Sequence, residues 1–577
     1  MTTQDEEEPR ISSSPPIITH SRAWGPHGRR LSSWACPSLG PASQDPACNW
    51  SSLLSGLVAL NVFLLGCALV SASVFNTVHI TSAHLQVYLI CLMILSTCWM
   101  LYYAAYTYRE DQAVLYKDGH AGPIWLRGGL ILFGVCSMIM DIFKVAYYVG
   151  YLHCDSAVKI VFPIAQAVFI FVQTYFLWFH AKDCVQLQRN ITRCGLMLTL
   201  STNLMLWMTA VTEESLHQTV LPTSNASKTS RSMAMQVRSD DSCECSHSAC
   251  SIFETASNYL YPFNIEYSLF ASAMTYVMWK NVGRLLDEHN HHHNLPQRFH
   301  LRDVLLGPIN GLLILVAGLV TFIMYKVDVQ EQDEAKKEAA LQMHYIMNMV
   351  AYVLMSVCTL AGWVLYGLEQ REHVSGKNPT RSLDVGLLLG ASMGQFAICY
   401  FTIVAVVATG IQSHLDALNL TSTLLAVIQL GLQNGFIVEG LHRQPYSPHN
   451  SGTHAAHVFT STYTLRSHSD SELPESKSTT TVTSDTSQLQ THPLHHFSTG
   501  LSWKRRALKE ICAFLMLCNI TLWIMPAFGA RPQFENPHGH DFYDLYMWVA
   551  VVNIGLPFSI FYRMHSVAGL FELYVLS

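Results

Sequence analysis

Residues 136–148 read CSMIMDIFKVAYY, and in them an acid, Asp141, and a base, Lys144, interrupt a run otherwise apolar enough to cross a bilayer. A charge in hydrocarbon is costly, so each needs a partner, water or a function. Working outward from this run, eleven further stretches approach the roughly 20 apolar residues that a spanning helix needs. The twelve expected spans lie near residues 52–76, 84–108, 122–151, 160–181, 190–212, 257–282, 305–326, 339–368, 384–408, 415–440, 508–529 and 542–572. Two more of them hold titratable groups, Glu266 in YPFNIEYSLF and His565 in FYRMHS. The pattern predicts an all-α polytopic membrane protein with an ion pathway.

Composition agrees. Of 577 residues, 50% are hydrophobic and only 13% charged, against roughly 25% charge in a soluble domain. A net charge of −6 provides no basic footprint for nucleic acid. No Walker or dinucleotide glycine loop sits between a strand and a helix, which sets nucleotide-driven pumping aside. No cofactor is expected. Residues 1–50 are polar, acidic at DEEE and rich in Ser and Pro, so they read as a disordered segment without a leader core.

Lys and Arg assign the orientation. Arg109, Lys117, Lys182, Arg189, Arg284, Arg298, Arg302, Arg371, Lys377, Arg381 and the run WKRRALK fall in loops on one side, taken as the cytosol. Twelve spans then return both termini to that side. Asn225-Ala226-Ser227, a glycosylation acceptor, falls in the opposite loop at 215–256, as does the trio Cys243, Cys245 and Cys250. With Cys154 in another outer loop, a disulfide is expected there, its pairing left open. The Ser/Thr tract at 444–502 cannot bury a core and reads as a disordered inner loop open to phosphorylation. EHNHHHN lies in a linker at 285–304 and reads as a solvated loop, with metal binding as the alternative.

Short motifs recur six spans apart. Asn203-x-x-Leu206-Trp207 returns as Asn519-x-x-Leu522-Trp523, Gln173-x-x-Phe176 as Gln433-x-x-Phe436, and Asn264-Ile265 as Asn553-Ile554. A tandem duplication predicts two six-helix halves of like orientation, 51–284 and 305–577.

The stretches RCGLMLTLSTNLMLWMTAVTEES (193–215), YLYPFNIEYSLFASAMTYVMWKNVGR (259–284), LQNGFIVEGLHR (432–443) and FYRMHSVAGLFELY (561–574) resemble the otopetrin family, in family order over nearly all spans. The resemblance implies a proton-selective channel of the plasma membrane that carries protons inward when the outside is acidic. It also implies a homodimer of two-barrel subunits, a pseudo-tetramer around a central cavity of membrane lipid, sterol included. Where the family pattern carries a His after GLM, this chain has Leu198. Leu198→His is therefore expected to make the current more dependent on external acid, and an unchanged pH dependence counts against that reading.

Proton selectivity requires titratable or hydrogen-bonding groups close enough for water to link them, without a bore open to Na+. The candidates are Glu266, Asp141, Lys144, Gln173 and Asn203 in the first half, and Gln433, Asn519, Asn553, His565 and Glu439 in the second. Glu266, in the outer part of its span, has no cation within a helical turn, and His565 carries the side chain that titrates near neutrality. Each has a structural alternative. Asp141 and Lys144 are spaced for a buried ion pair, the amides for bridges between helices, and His565 for an inner anchor beside Arg563. In the outer loop, His538, His540, Asp541 and Asp544 are spaced to sense external protons or to accept Zn2+ as an inhibitor. A secondary transporter of the major-facilitator kind also has twelve spans in two halves, but YREDQAVLYKDGHAG after the second span lacks its G-x-x-x-D-R-x-G-R signature. A membrane protein without transport, whose buried acids only pack, stays open at this point.

Overall fold

The structure, a computed structural model, describes residues 46–75, 81–110, 113–118, 124–153, 156–220, 245–284 apart from 247, 304–330, 333–368, 379–443 and 503–577 apart from 536. Asn225, Cys154, Cys243, the His-rich linker, the 444–502 loop and the side chain of His540 lie outside the described residues. Met1–Asn49 is set apart as one unit from Trp50–Ser577, and the packing below is internal to the latter.

Twelve long helices are present among the described residues. They are α1 Pro46–Phe75, α2 Ser82–Ala105, α3 Ile124–Gly150, α4 Val158–His180, α5 Arg189–Val220, α6 Cys250–Asn281, α7 Leu306–Gln330, α8 Glu334–Leu368, α9 Pro379–Thr409, α10 His414–Leu441, α11 Trp503–Ala527 and α12 Leu545–Leu576. Eleven of them are long and apolar enough to cross a membrane; α6, with Glu254, Asn258, Asn264 and Glu266 along it, is the exception. The helical state follows from the solvent, because in lipid every backbone N–H and C=O must be satisfied within its own segment. Side chains sort the same way. Leu53, Leu57, Leu60 and Leu64 on α1 and Leu312, Leu313, Val320 and Ile323 on α7 are exposed, while Gln173, Asn203, Glu266, Gln433 and Asn519 are buried.

The packing closes two rings. In the first, α3 packs on α6, α6 on α5, α5 on α2, α2 on α4 and α4 on α3; in the second, α9, α12, α11, α8 and α10 repeat that circuit. The first helix of each set lies outside its ring. On one side the Tyr88 hydroxyl of α2 donates to Val62 O of α1 at 2.7 Å, and on the other α7 packs on α8 and α11. The rings meet where α12 touches α3, α5 and α6, and α9 touches α6.

Three-dimensional packing corrects one part of the repeat. The sixth and twelfth helices match not through Asn264-Ile265 and Asn553-Ile554 but through Pro262-Phe263-x-Ile265-x-Tyr267 and Pro557-Phe558-x-Ile560-x-Tyr562. Two observations establish this register: each tyrosine hydroxyl reaches the repeated glutamine, Gln173 or Gln433, and each proline lies inside its helix. An internal proline removes one backbone donor and bends the helix at that level.

One element was not expected. Strands β1 Val114–Lys117 and β2 Asp183–Val185 form a small antiparallel ladder that joins the α2–α3 and α4–α5 connections. Asp183 there is fully buried and accepts from His180 Nδ1 at 2.8 Å, and Arg284 pairs with Asp118 at 3.3 Å.

Candidate functional site

Three buried polar sites emerge, one in each ring and one on the seam between them. In the first ring, Gln166 Nε2 of α4 donates to Asn264 Oδ1 of α6 at 2.8 Å. The Tyr267 hydroxyl lies 3.1 Å from Ile170 O, 3.0 Å from Thr174 Oγ1 and 3.3 Å from Gln173 Oε1. Asn203 Nδ2 donates back to Thr199 O of its own helix at 2.9 Å. Gln173 Nε2 and Asn203 Oδ1 are buried without a hydrogen-bond partner.

In the second ring the equivalent groups close on one another. Gln433 Nε2 lies 3.2 Å from both Asn519 Oδ1 and Tyr562 Oη, and Asn519 Nδ2 donates to Gln433 Oε1 at 3.0 Å. Gln429 Nε2 adds a donation to Gln433 Oε1 at 2.8 Å. Arg563 Nη1 donates to Gln429 Oε1 at 3.0 Å and to Asn519 Oδ1 at 3.2 Å. The sequence reading missed Gln166, Gln429 and Arg563 as members of these sites. For the glutamines, the signal was spacing: Gln429 is one turn from Gln433 and Gln166 two turns from Gln173, so each pair shares a helix face.

The seam holds Glu266. It sits at the middle of α6, because that helix begins at Cys250, and not in the outer part of a shorter span. Its carboxylate is completely buried; Oε1 accepts from Trp523 Nε1 of α11 at 3.2 Å, and Oε2 has no partner. Phe133 and Phe263 stand around the same indole at ring distances of 6.4 and 5.8 Å. The repeat places Trp207 and Phe558 as the counterpart of Trp523 and Phe263, and they also pair across the seam, at 5.4 Å. At the position of Glu266, however, α12 carries Phe561, and Trp207 Nε1 is left without a partner. The acid is therefore a feature of only one side of a pseudo-symmetric seam.

His565, one turn beyond Phe561, stacks on that ring at 5.5 Å, and Phe561 in turn meets Phe270 of α6 edge-on at 5.8 Å. Its Nε2 lies 3.1 Å from Asp384 O of α9. Asn553 is half-buried and does not join Gln433 and Asn519; it lines a seam cavity of about 20 Å3 with Pro262, Pro557, Glu214 and Arg531. Arg531 Nη2 donates to Glu214 Oε1 at 3.1 Å, a charge pair between the halves at that end of the seam. Burial pushes the Arg531 guanidinium below its ordinary range, and the Glu214 carboxylate opposes the shift.

Asp141 and Lys144 do not form the ion pair that their spacing allows. Both Asp141 oxygens are buried without a hydrogen-bond partner. Lys144 Nζ instead sits over the Tyr261 ring, 4.5 Å from its centre, and the Tyr261 hydroxyl donates to Glu213 Oε2 at 2.5 Å. A long lysine stem reaches along its helix toward a polar end, whereas the short aspartate stays at the level of its own Cα. Glu439 is gripped by Arg443 through Nε at 3.0 Å and Nη2 at 2.8 Å.

Of the four residues expected to cluster at 538–544, His538 turns elsewhere: its Nε2 pairs with Asp416 Oδ1 at 2.7 Å and its Nδ1 lies 2.7 Å from Thr409 Oγ1, while Asp541 and Asp544 are exposed. Asp416 belongs to the capping box that starts α10, so His538 ties the connection between α11 and α12 to that helix end. No group of three or more metal-ligating side chains is present among the described residues. Cys245 is bonded to Cys250 at the start of α6, which resolves part of the cysteine pairing.

Comparison with known sequences agrees with this architecture. The otopetrin family pattern matches residues 125–241, 219–457 and 490–564. The human protein named "Proton channel OTOP2" is 47% identical over 91% of this chain and 95% of its own length. Its mouse counterpart is 46% identical over the same shares. The human protein named "Proton channel OTOP3" is 44% identical over 91% of this chain and 85% of its own length. With matched segments running from the third helix to the twelfth and these identities sustained along the sequence, the chain belongs to the otopetrin family.

Proposed function

We propose that this chain is a proton-selective channel of the plasma membrane, carrying protons into the cell down their gradient in response to extracellular acid. The observation that carries the reading is Glu266: a completely buried carboxylate at the middle of its helix with one oxygen unpartnered, on a seam between two helical rings. An acid so placed is costly to retain as a packing device, since apolar residues would fill the volume at lower cost. The names of the relatives point the same way. The unpartnered Gln173 Nε2 and Asn203 Oδ1 supply sites where water can continue a proton wire, and His565 lies on the same seam farther along α12.

In this reading all twelve long helices span, both termini are cytosolic, and Asn225 is glycosylated on the outer face. The halves are 51–284 and 305–577, joined by the cytosolic linker 285–304 and with the inner loop 444–502 inside the second. The exposed leucine and valine faces of α1 and α7 are greasy surfaces that suit lipid, sterol or a second copy, in keeping with a homodimer. Asp141 and Lys144 serve the outer mouth of the first ring. His538 holds the outer loop to the start of α10 through its pair with Asp416.

Whole-cell current in Na+-free solution, recorded while external pH is stepped from neutral to acid, tests the reading. The reversal potential is expected to move by about 59 mV per pH unit, the value for a one-charge equilibrium. A flux that requires a co-substrate, or no current from protein confirmed at the cell surface, would overturn it.

A further inference from the structure

The two rings repeat each other at Gln173 and Gln433, Asn203 and Asn519, and Tyr267 and Tyr562, yet they differ at the next residue. In the register established by the tyrosines, Ser268 of the first ring corresponds to Arg563 of the second. Arg563 is 3% exposed, and among the described residues no carboxylate lies within ion-pairing distance of it. Its partners are neutral: the amides of Gln429 and Asn519, with the rings of Tyr562 and Tyr352 at 5.4 and 5.9 Å. A guanidinium does not lose its proton in a protein. A fixed, unneutralised positive charge in a narrow polar constriction raises the barrier to any cation or migrating proton.

The first ring has the opposite character. Its constriction holds no formal charge, and the direct amide bond made by Gln433 and Asn519 is absent between Gln173 and Asn203, which leaves a buried donor and a buried acceptor free. These two atoms are hydrogen-bonding positions that the protein itself leaves unfilled.

Dryness is not what closes the second ring. A cavity of about 80 Å3 opens within it, lined by His344, Asn348, Gln395, Ala426 and Gln533 and reaching Tyr352. That volume holds several waters at roughly 10–15 Å3 each. His344 Nδ1, Asn348 Oδ1 and Gln533 Oε1 are buried there without protein partners. Tyr352, the tyrosine over which Arg563 sits, is part of the chamber's wall.

We propose that Arg563 closes the second half to protons electrostatically, so that conduction runs through the first half and the seam. This rests on the proton-channel reading. Arg563 is a selectivity residue for the path, and the chamber before it is a hydrated dead end.

Arg563→Gln keeps a hydrogen-bond donor but removes the charge. In a Glu266→Gln background it is expected to restore proton current at least severalfold, and adding Ala426→Leu, which fills the chamber, is expected to abolish that gain. Arg563→Lys, with its charge retained, should restore nothing. Two single variants test the path whether or not the arginine variants reach the surface. Ala426→Leu alone should leave current within about twofold of wild type, while Gln173→Leu should lower it at least tenfold, both normalised to surface protein. Loss of current in Ala426→Leu, or full current in Gln173→Leu, would overturn the proposal. Absence of current in the wild-type protein would instead remove the proton-channel reading itself, so the two failures are distinct.

Discussion

Glu266→Gln is expected to reduce the acid-evoked proton current by at least tenfold at equal surface density, a barrier change of about 1.4 kcal/mol or more. The substitution keeps the shape of the side chain, and its amide oxygen can still accept from Trp523 Nε1, the one hydrogen bond that Glu266 makes. What it removes is the ability to take up and release a proton. The amide nitrogen puts a donor where the acid has an acceptor without a partner, and a buried donor left unpaired costs about 1–3 kcal/mol. Surface biotinylation and thermal stability in detergent therefore accompany the current, so that a folding defect is read separately. Glu266→Asp, one methylene shorter, should retain the titratable group but lose part of the contact with Trp523, and an intermediate current is expected. If Glu266→Gln conducts as well as wild type, the carboxylate is a packing element and the seam is not on the path.

Gly555→Leu is expected to prevent assembly of the second ring. Gly555 of α12 and Gly394 of α9 face each other so closely that a Cβ on Gly555 falls 2.8 Å from Gly394 O, and a Cβ on Gly394 falls 2.5 Å from Gly555 O. Small residues at a helix crossing let two backbones touch, and in lipid that close packing is a principal source of association. A leucine must push α9 and α12 apart at a contact that closes the ring, at a cost of about 3 kcal/mol or more. Loss of surface protein and of a cooperative melting transition should follow, with Gly555→Ala showing a smaller decrease in the same direction. Gly386, on α9 but with open space around its Cα, supplies the contrast: Gly386→Ala should leave stability unchanged or raise it by up to about 1 kcal/mol. A Gly555→Leu protein that melts like wild type would show that the crossing tolerates separation.

Local chemistry made much of this molecule legible in its sequence. Eleven runs are apolar enough to be recognised by hydropathy alone, and α6 was recognised too, although Glu254 and Glu266 lower its hydropathy below the others. The amide positions Gln173, Gln433, Asn203 and Asn519 were found from motif repetition, and all four are completely buried. Inferences that depended on a residue's partner fared differently. Asp141 and Lys144 are neighbours on a helix surface by spacing, yet Lys144 extends to Tyr261 and Asp141 stays inside. His538 lies near two acids in the sequence but turns to Asp416, 122 residues away. The dipeptide Asn-Ile suggested one repeat register, and the buried tyrosine hydroxyls, each bonded to the repeated glutamine, enforce another.

The sequence by itself determined that this is a helical membrane protein built from a duplicated six-helix unit, because hydropathy and motif spacing are properties of the chain alone. It also singled out titratable groups that prove to be buried, Asp141, Glu266 and His565 among them. Only the tertiary structure decided what those groups meet. Glu266 bonds Trp523, 257 residues later, and Arg563 is placed among the amides of the second ring but not the first. The physical reason is that a helix's periodicity shows which face avoids lipid, while the partner on that face is selected by the crossing of another helix, and no local pattern encodes that crossing.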